Sequence, residues 1–214
     1  MLVGDEEAAF TVHEALICKH SDFFTAACSG EWKEGQTRTV RLPAPNDPAH
    51  FQLYLDWLYS QRLVNVTELV RKGLVEQDVS TQSGAQGLHV VDGLCDLWIL
   101  GNYLLDTSFK NTMISRVITN EVPRGGLILL STVKKIIKGT PTDSGIQRWL
   151  LDHLGPLITA QQLEEAREWL PAEFVFHLLK KMTNFRDKVN NVKTYLPQKA
   201  DYRKYHDGVE ETKA

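Results

Sequence analysis

The stretch Phe10-Thr11-Val12-His13-Glu14-Ala15-Leu16-Ile17, with Ser21-Asp22-Phe23-Phe24 behind it and Phe51-Gln52-Leu53-Tyr54-Leu55-Asp56-Trp57-Leu58-Tyr59 further on, decides how this chain is read. Ala9 to Val12 reads as a short strand. Leu2-Val3 reads as another, with Gly4-Asp5-Glu6-Glu7 turning between them. From His13 the pattern becomes helical, with Ala15, Leu16 and Lys19 at helical spacing. Ser21 is placed to cap a second short helix containing Phe23, Phe24 and Ala27, which Gly30 ends. Thr39-Val40-Arg41-Leu42 alternates polar and apolar residues, as a strand does. Asp47 can cap the next helix, and Pro48 stands at its first position, where a missing N–H is harmless. Phe51, Tyr54, Leu55, Leu58 and Tyr59 then form one apolar stripe, predicting a helix laid on a core.

Outward from this stretch the pattern weakens and then recovers. Residues 76–87 are polar, lack a period and predict a surface loop. A strongly apolar helix follows through Leu94, Leu97, Trp98, Leu100 and Tyr103, and another through Phe109, Met113, Val117 and Ile118. After Pro123-Arg124-Gly125-Gly126 four helices are expected. The first spans Leu130 to Gly139 and the second Ile146 to Leu154. The third is capped by Thr159 with Gln162 and runs to Trp169, and the fourth contains Phe174, Leu178 and Met182. From Lys193 onward charged residues and scattered tyrosines predict a disordered tail.

Bulk composition excludes several classes of function. The chain has 214 residues, 43% hydrophobic, and a formal charge of -3. A nucleic-acid binder gains most of its affinity by neutralising phosphate, and no basic surplus is present here. The three cysteines, Cys18, Cys28 and Cys95, carry no paired or metal-clip spacing, so reduced thiols in a cytoplasmic or nuclear protein are expected. No signal peptide is visible, and the apolar windows fall short of the roughly 18 residues of a membrane span. His13, Cys18 and His20 scatter around a short helix, so no metal is expected. No nucleophile elbow, P-loop or dinucleotide fingerprint occurs, and no cofactor is implied. Paired carboxylates such as Glu6-Glu7 and Glu164-Glu165 read as solvated faces, and the chain is not expected to be an enzyme.

The order and gaps of these segments resemble the BTB/POZ family. Phe10 to Ile17 is similar to the family's F-x-V-H-[KR]-x-x-[LI] entry, on Phe10, Val12, His13 and Leu16. Ser21 and Phe24 match its S-x-x-F helix, and Val40-Arg41-Leu42 its next strand. Phe51, Leu55 and Tyr59 match its F-x-x-x-L-x-[WF]-[LI]-Y helix, and Arg62-Leu63 its exit strand. Leu97 to Leu104 resembles the helix that closes the family core, while Leu105-Asp106, Phe109-Lys110-Asn111 and Leu170 to Phe174 resemble its fungal branch.

The resemblance implies an α+β fold, a small sheet with a flanking helix cluster, its first strand truncated, followed by a C-terminal helical extension. The expected organisation is a BTB/POZ domain over 1–122 with a flexible insertion around 65–91. A helical region over 123–192 and a disordered tail over 193–214 complete it. The family associates with itself, and many members dock onto cullin-type ubiquitin ligase scaffolds through an apolar-x-Glu motif. Trp32-Lys33-Glu34 stands where that motif belongs, which makes Trp32 and Glu34 the candidate cullin contacts. Against this, Trp32 could pack on its own domain. Two departures count against the family dimer. Glu14 occupies the position of the family's basic residue, and the strand that many dimers exchange is missing. The implied function is protein interaction, as a substrate adaptor for a cullin ligase or, alternatively, as a homotypic scaffold or transcriptional co-regulator.

Overall fold

A computed structural model describes residues 1–30, 32–43, 47–62, 84–121, 128–188 and 199–208. The chain opens with strand β1 (Leu2–Val3) and strand β2 (Ala8–Ala9), paired antiparallel with Leu2 opposite Ala9 and Val3 opposite Ala8. Gly4 turns the chain between them at φ 74°, a left-handed conformation that glycine adopts without strain. Helix α1 (Glu14–His20) and helix α2 (Asp22–Ala27) follow, the second capped by Ser21, whose hydroxyl accepts from the Phe24 N–H. A one-turn helix α3 (Lys33–Thr37) leads into strand β3 (Arg41–Leu42), which runs parallel to β1. The sheet order is therefore β2-β1-β3.

The strand expected to be truncated is thus the central strand of the sheet, with partners on both sides and Val3 fully buried. The strand expected over Ala9–Val12 is shorter than its sequence pattern. Phe10 and Met1 exchange both backbone bonds, at 2.8 and 2.9 Å, and the ladder stops there. Thr11 to His13 have no strand opposite them and lead directly into α1.

Helix α4 (Pro48–Ser60) begins as its sequence signals, with the Asp47 carboxylate accepting from the Ala49 N–H at 2.6 Å and Pro48 in the first turn. Its burial is wider than one stripe. Phe51, Leu53, Tyr54, Leu55, Trp57 and Leu58 are all buried, because aromatic side chains close on it from several directions. Tyr59, the last residue of the expected stripe, is 49% exposed. Arg62 lies in no strand, and Leu63 and most of the expected insertion lie outside the described residues.

Helix α5 (Gly84–Tyr103) starts inside the stretch read as a loop. Gly84 and Gly87 each disfavour a helix by about 1 kcal/mol relative to alanine. Val90, Val91 and Leu94 are buried just beyond, and that burial carries the helix through them. Helix α6 (Thr107–Arg116) runs on into a π-helical turn over Val117–Glu121. Helices α7 (Leu130–Gly139) and α8 (Gly145–Leu154) fall where the periodicity puts them. Helix α9 (Ala160–Ala166) carries the capping box of Thr159 and Gln162. It ends at Ala166, short of Trp169, and turns lead from there to Leu170 and Pro171. Helix α10 (Ala172–Lys188) ends the long elements. Among the described residues this makes ten α-helices and one three-stranded sheet, an α+β architecture.

The chain divides into two compact units. The first comprises Met1–Glu76 with Asp96–Met113, the second Gln77–Cys95 with Ile114–Ala214. The division passes through α5 and α6. Within the expected tail, Lys199–Tyr205 form a 3-10 helix and Tyr205 is 1% exposed. The burial has a tertiary cause: Tyr205 has an apolar ring to bury and a hydroxyl with a partner, neither of which a local pattern reveals. None of the described helices is long and apolar enough to cross a membrane.

Candidate functional site

In the first unit Phe10, Phe24 and Phe51 converge with Tyr54, Trp57 and Phe109 on one aromatic cluster. The Phe10 ring meets Phe51 edge-on at 5.2 Å, Phe24 lies 6.5 Å from Phe51, and Tyr54 and Trp57 each stand 5.0 Å from Phe109. Edge-on and offset geometries place the positive rim of one ring on the negative face of another, which adds to the burial of their area. Leu55 is buried, while Val12 and Leu16 are half-buried at the margin. Ser21 has two tasks. It caps α2, and its hydroxyl donates to the Leu104 carbonyl, tying the start of α2 to the end of α5.

Asp106, named in the sequence only as part of a resemblance, has a buried role in this unit that the sequence pattern did not assign. It is fully buried, its Oδ1 accepts from the Phe109 N–H at 2.9 Å, and its Oδ2 accepts from the Tyr54 hydroxyl at 3.2 Å. Burial holds its carboxyl above the usual carboxylate range, against the opposing pull of those two bonds. Burial and the neighbouring Asp106 carboxylate likewise push the Tyr54 phenol up. The available signal was an aspartate directly before an apolar-periodic helix, which is a capping position.

The outer face of the unit carries the candidate contacts. His13 is exposed. Its backbone N–H donates to the Tyr59 hydroxyl at 3.1 Å and its ring Nδ1 lies 2.8 Å from the same oxygen. This joins the end of α4 to the start of α1. Beside it an open groove of about 620 Å³ is lined by Phe10, Thr11, Gln52, Leu55, Asp56 and Tyr59. Trp32 immediately precedes α3 and is 62% exposed, so it does not pack on its own domain. Glu34 is half-buried in the first turn of the same helix. Trp32 and Glu34 are therefore not part of the aromatic cluster. Cys18 and Cys28 are both free thiols. Burial and the neighbouring Cys28 push the Cys18 thiol up to about 11, which makes it a poor nucleophile. Among the described residues no group of three or more His, Cys, Asp or Glu could hold a metal ion.

In the second unit polar groups converge on the segment 199–208. The Tyr205 hydroxyl donates to Asp152 Oδ2 at 2.9 Å, and the Lys204 ammonium stands 3.4 Å from the same oxygen. Lys181 pairs with the other oxygen of Asp152. Asp207 Oδ1 accepts from the Gly145 N–H at 2.6 Å, at the start of α8. The Arg148 guanidinium donates to the His206 carbonyl at 3.3 Å, and His206 Nε2 lies 2.7 Å from the Ser115 hydroxyl. Burial lowers the His206 pKa and the Arg203 charge adds to this, with Asp207 opposing both. No pattern in the sequence signals this convergence, because the partners lie on three helices far apart in the chain, Ser115 on α6, Gly145, Arg148 and Asp152 on α8, and Lys181 on α10.

No family model, curated protein or solved structure matches this chain.

Proposed function

We propose that the chain is a non-enzymatic protein-interaction module of BTB/POZ type that serves as a substrate adaptor for a cullin-type ubiquitin ligase. The observation that carries the reading is Trp32, 62% exposed at the N-terminal boundary of α3 with Glu34 one turn in. A large ring held out in solvent loses little side-chain entropy when a partner covers it, and such rings dominate binding energy at interfaces. The carboxylate beside it supplies a polar contact at the rim, which favours a defined orientation. A small three-stranded sheet accompanied by helices is the α+β architecture that this reading requires. The test is co-purification with a cullin N-terminal domain. The unaltered chain should retain the cullin, and Trp32→Ala with Glu34→Ala should lose it while keeping its circular dichroism. If the unaltered chain retains none, the adaptor reading fails. Retention by both forms would show that other residues make the contact.

A further inference from the structure

The C-terminal segment of the second unit is seated as a bound peptide is. Tyr205 is buried at 1% exposure, with its hydroxyl tied to Asp152, and two residues later the Asp207 carboxylate meets the N-terminus of α8. That helix has ten residues, so its first N–H groups and dipole favour an anion there. The chain comes so close that a Cβ on Gly145 would lie 1.7 Å from the Tyr205 carbonyl oxygen, so glycine keeps the site open.

The seat also has polar capacity that the segment does not use. Ser144, the N-cap of α8, is 8% exposed, and its hydroxyl has no hydrogen-bond partner among the described residues. Arg148 Nε is buried and likewise unpartnered, although the guanidinium reaches the carbonyls of Asp143 and His206 through its other nitrogens. A buried hydroxyl and a buried guanidinium nitrogen without acceptors cost free energy in a site that is permanently closed. They cost little in a site that opens to water between occupants.

We propose that this groove is a docking site for a Tyr-x-Asp peptide, filled in cis by Tyr205-His206-Asp207 and open to the same segment of a second copy of this chain. The tyrosine ring supplies the buried area, Asp152 accepts its hydroxyl, and the N-terminus of α8 holds the carboxylate. Residues 189–198 join α10 to the segment. Ten residues span at most about 33–36 Å when extended, a reach that suits exchange between two copies.

The test uses a fluorescein-labelled peptide of residues 199–208 and the full chain. A chain carrying Tyr205→Ala and Asp207→Asn, with an emptied cis segment, should bind the peptide saturably by fluorescence anisotropy. The unaltered chain should bind it at least tenfold more weakly, because its own segment competes. Adding Gly145→Ala to the doubly substituted chain should abolish binding while circular dichroism stays unchanged. A folded double variant that ignores the peptide overturns the proposal, and so does binding that survives Gly145→Ala. A second measurement needs no variant. Excess unlabelled peptide should speed amide exchange in residues 199–208 of the unaltered protein, and unchanged exchange at saturating peptide would also overturn it.

Discussion

The two units of this chain are held together by different physics. The first gathers Phe10, Phe24, Phe51, Tyr54, Trp57 and Phe109 into one aromatic core and, among the described residues, admits a single fully buried carboxylate, Asp106. The second has its own apolar core on Ile136, Ile146, Trp149 and Leu150, yet fastens its C-terminal segment through Asp152, Asp207, His206 and a single buried ring. Apolar burial is non-directional and large, so a core built from it fails all at once when cut. Polar fastenings are directional and small in net free energy, so they let one segment come loose while the rest stands.

The largest expected effect tests the aromatic core. Phe51→Ala should destabilise the first unit by about 3–5 kcal/mol, the usual range for deleting a buried aromatic side chain. Urea denaturation followed by near-ultraviolet circular dichroism measures it. Amide exchange in residues 199–208 should change little, and a parallel loosening there would break the distinction between the units.

An intermediate effect belongs to Asp106. Its raised carboxyl means the folded state holds the proton more tightly than the unfolded state. Its contribution to stability is therefore fully present below the unfolded carboxylate value of about 3.9 and is lost as pH rises through the folded value. Asp106→Asn keeps one oxygen to accept from the Phe109 N–H, places an amide N–H where it can donate to the Tyr54 oxygen, and cannot ionise. It should remove this part of the pH dependence and leave the variant at least as stable as the parent at neutral pH. Asp106→Ala should cost about 1–3 kcal/mol, since the Tyr54 hydroxyl and the Phe109 N–H are left buried without a partner. Urea midpoints between pH 4 and pH 8 separate the two. An undiminished slope in the asparagine variant would show that Asp106 is not the titrating group.

The smallest expected effect is on the fastening. Tyr205→Phe keeps the buried ring and deletes the bond to Asp152. It should weaken docking of the segment by about 0.5–1.5 kcal/mol, read as faster amide exchange confined to residues 199–208. A global loss of stability would place the second unit in the same class as the first.

Much of the first unit was legible along the chain because its signals are local. Ser21 before Phe24, Asp47 before Pro48, and the spacing of Phe51, Tyr54, Leu55 and Leu58 each act within one or two helical turns, and each element begins where they put it. The capping box of Thr159 and Gln162 in the second unit was readable for the same reason. Helical residues Gly84 to Gly87 were not, because their own propensities oppose the helix that the buried turns beyond them impose. Of the candidate contacts, the position of Trp32 could be read from spacing. Its exposure could not, since no local rule says which side of a short helix boundary faces water.

The sequence by itself determined the α+β composition, the starts of α2, α4 and α9, and the aromatic residues from which a core could form. Tertiary structure alone decided that Leu2 and Val3 lie at the centre of the sheet and that Asp106 is buried against Tyr54. It also decided that Tyr205, 53 residues from Asp152, ends up bonded to it. The physical reason is range. Caps and periodicity act between neighbours a turn apart, whereas pairing across a sheet or between helices depends on which surfaces burial brings together.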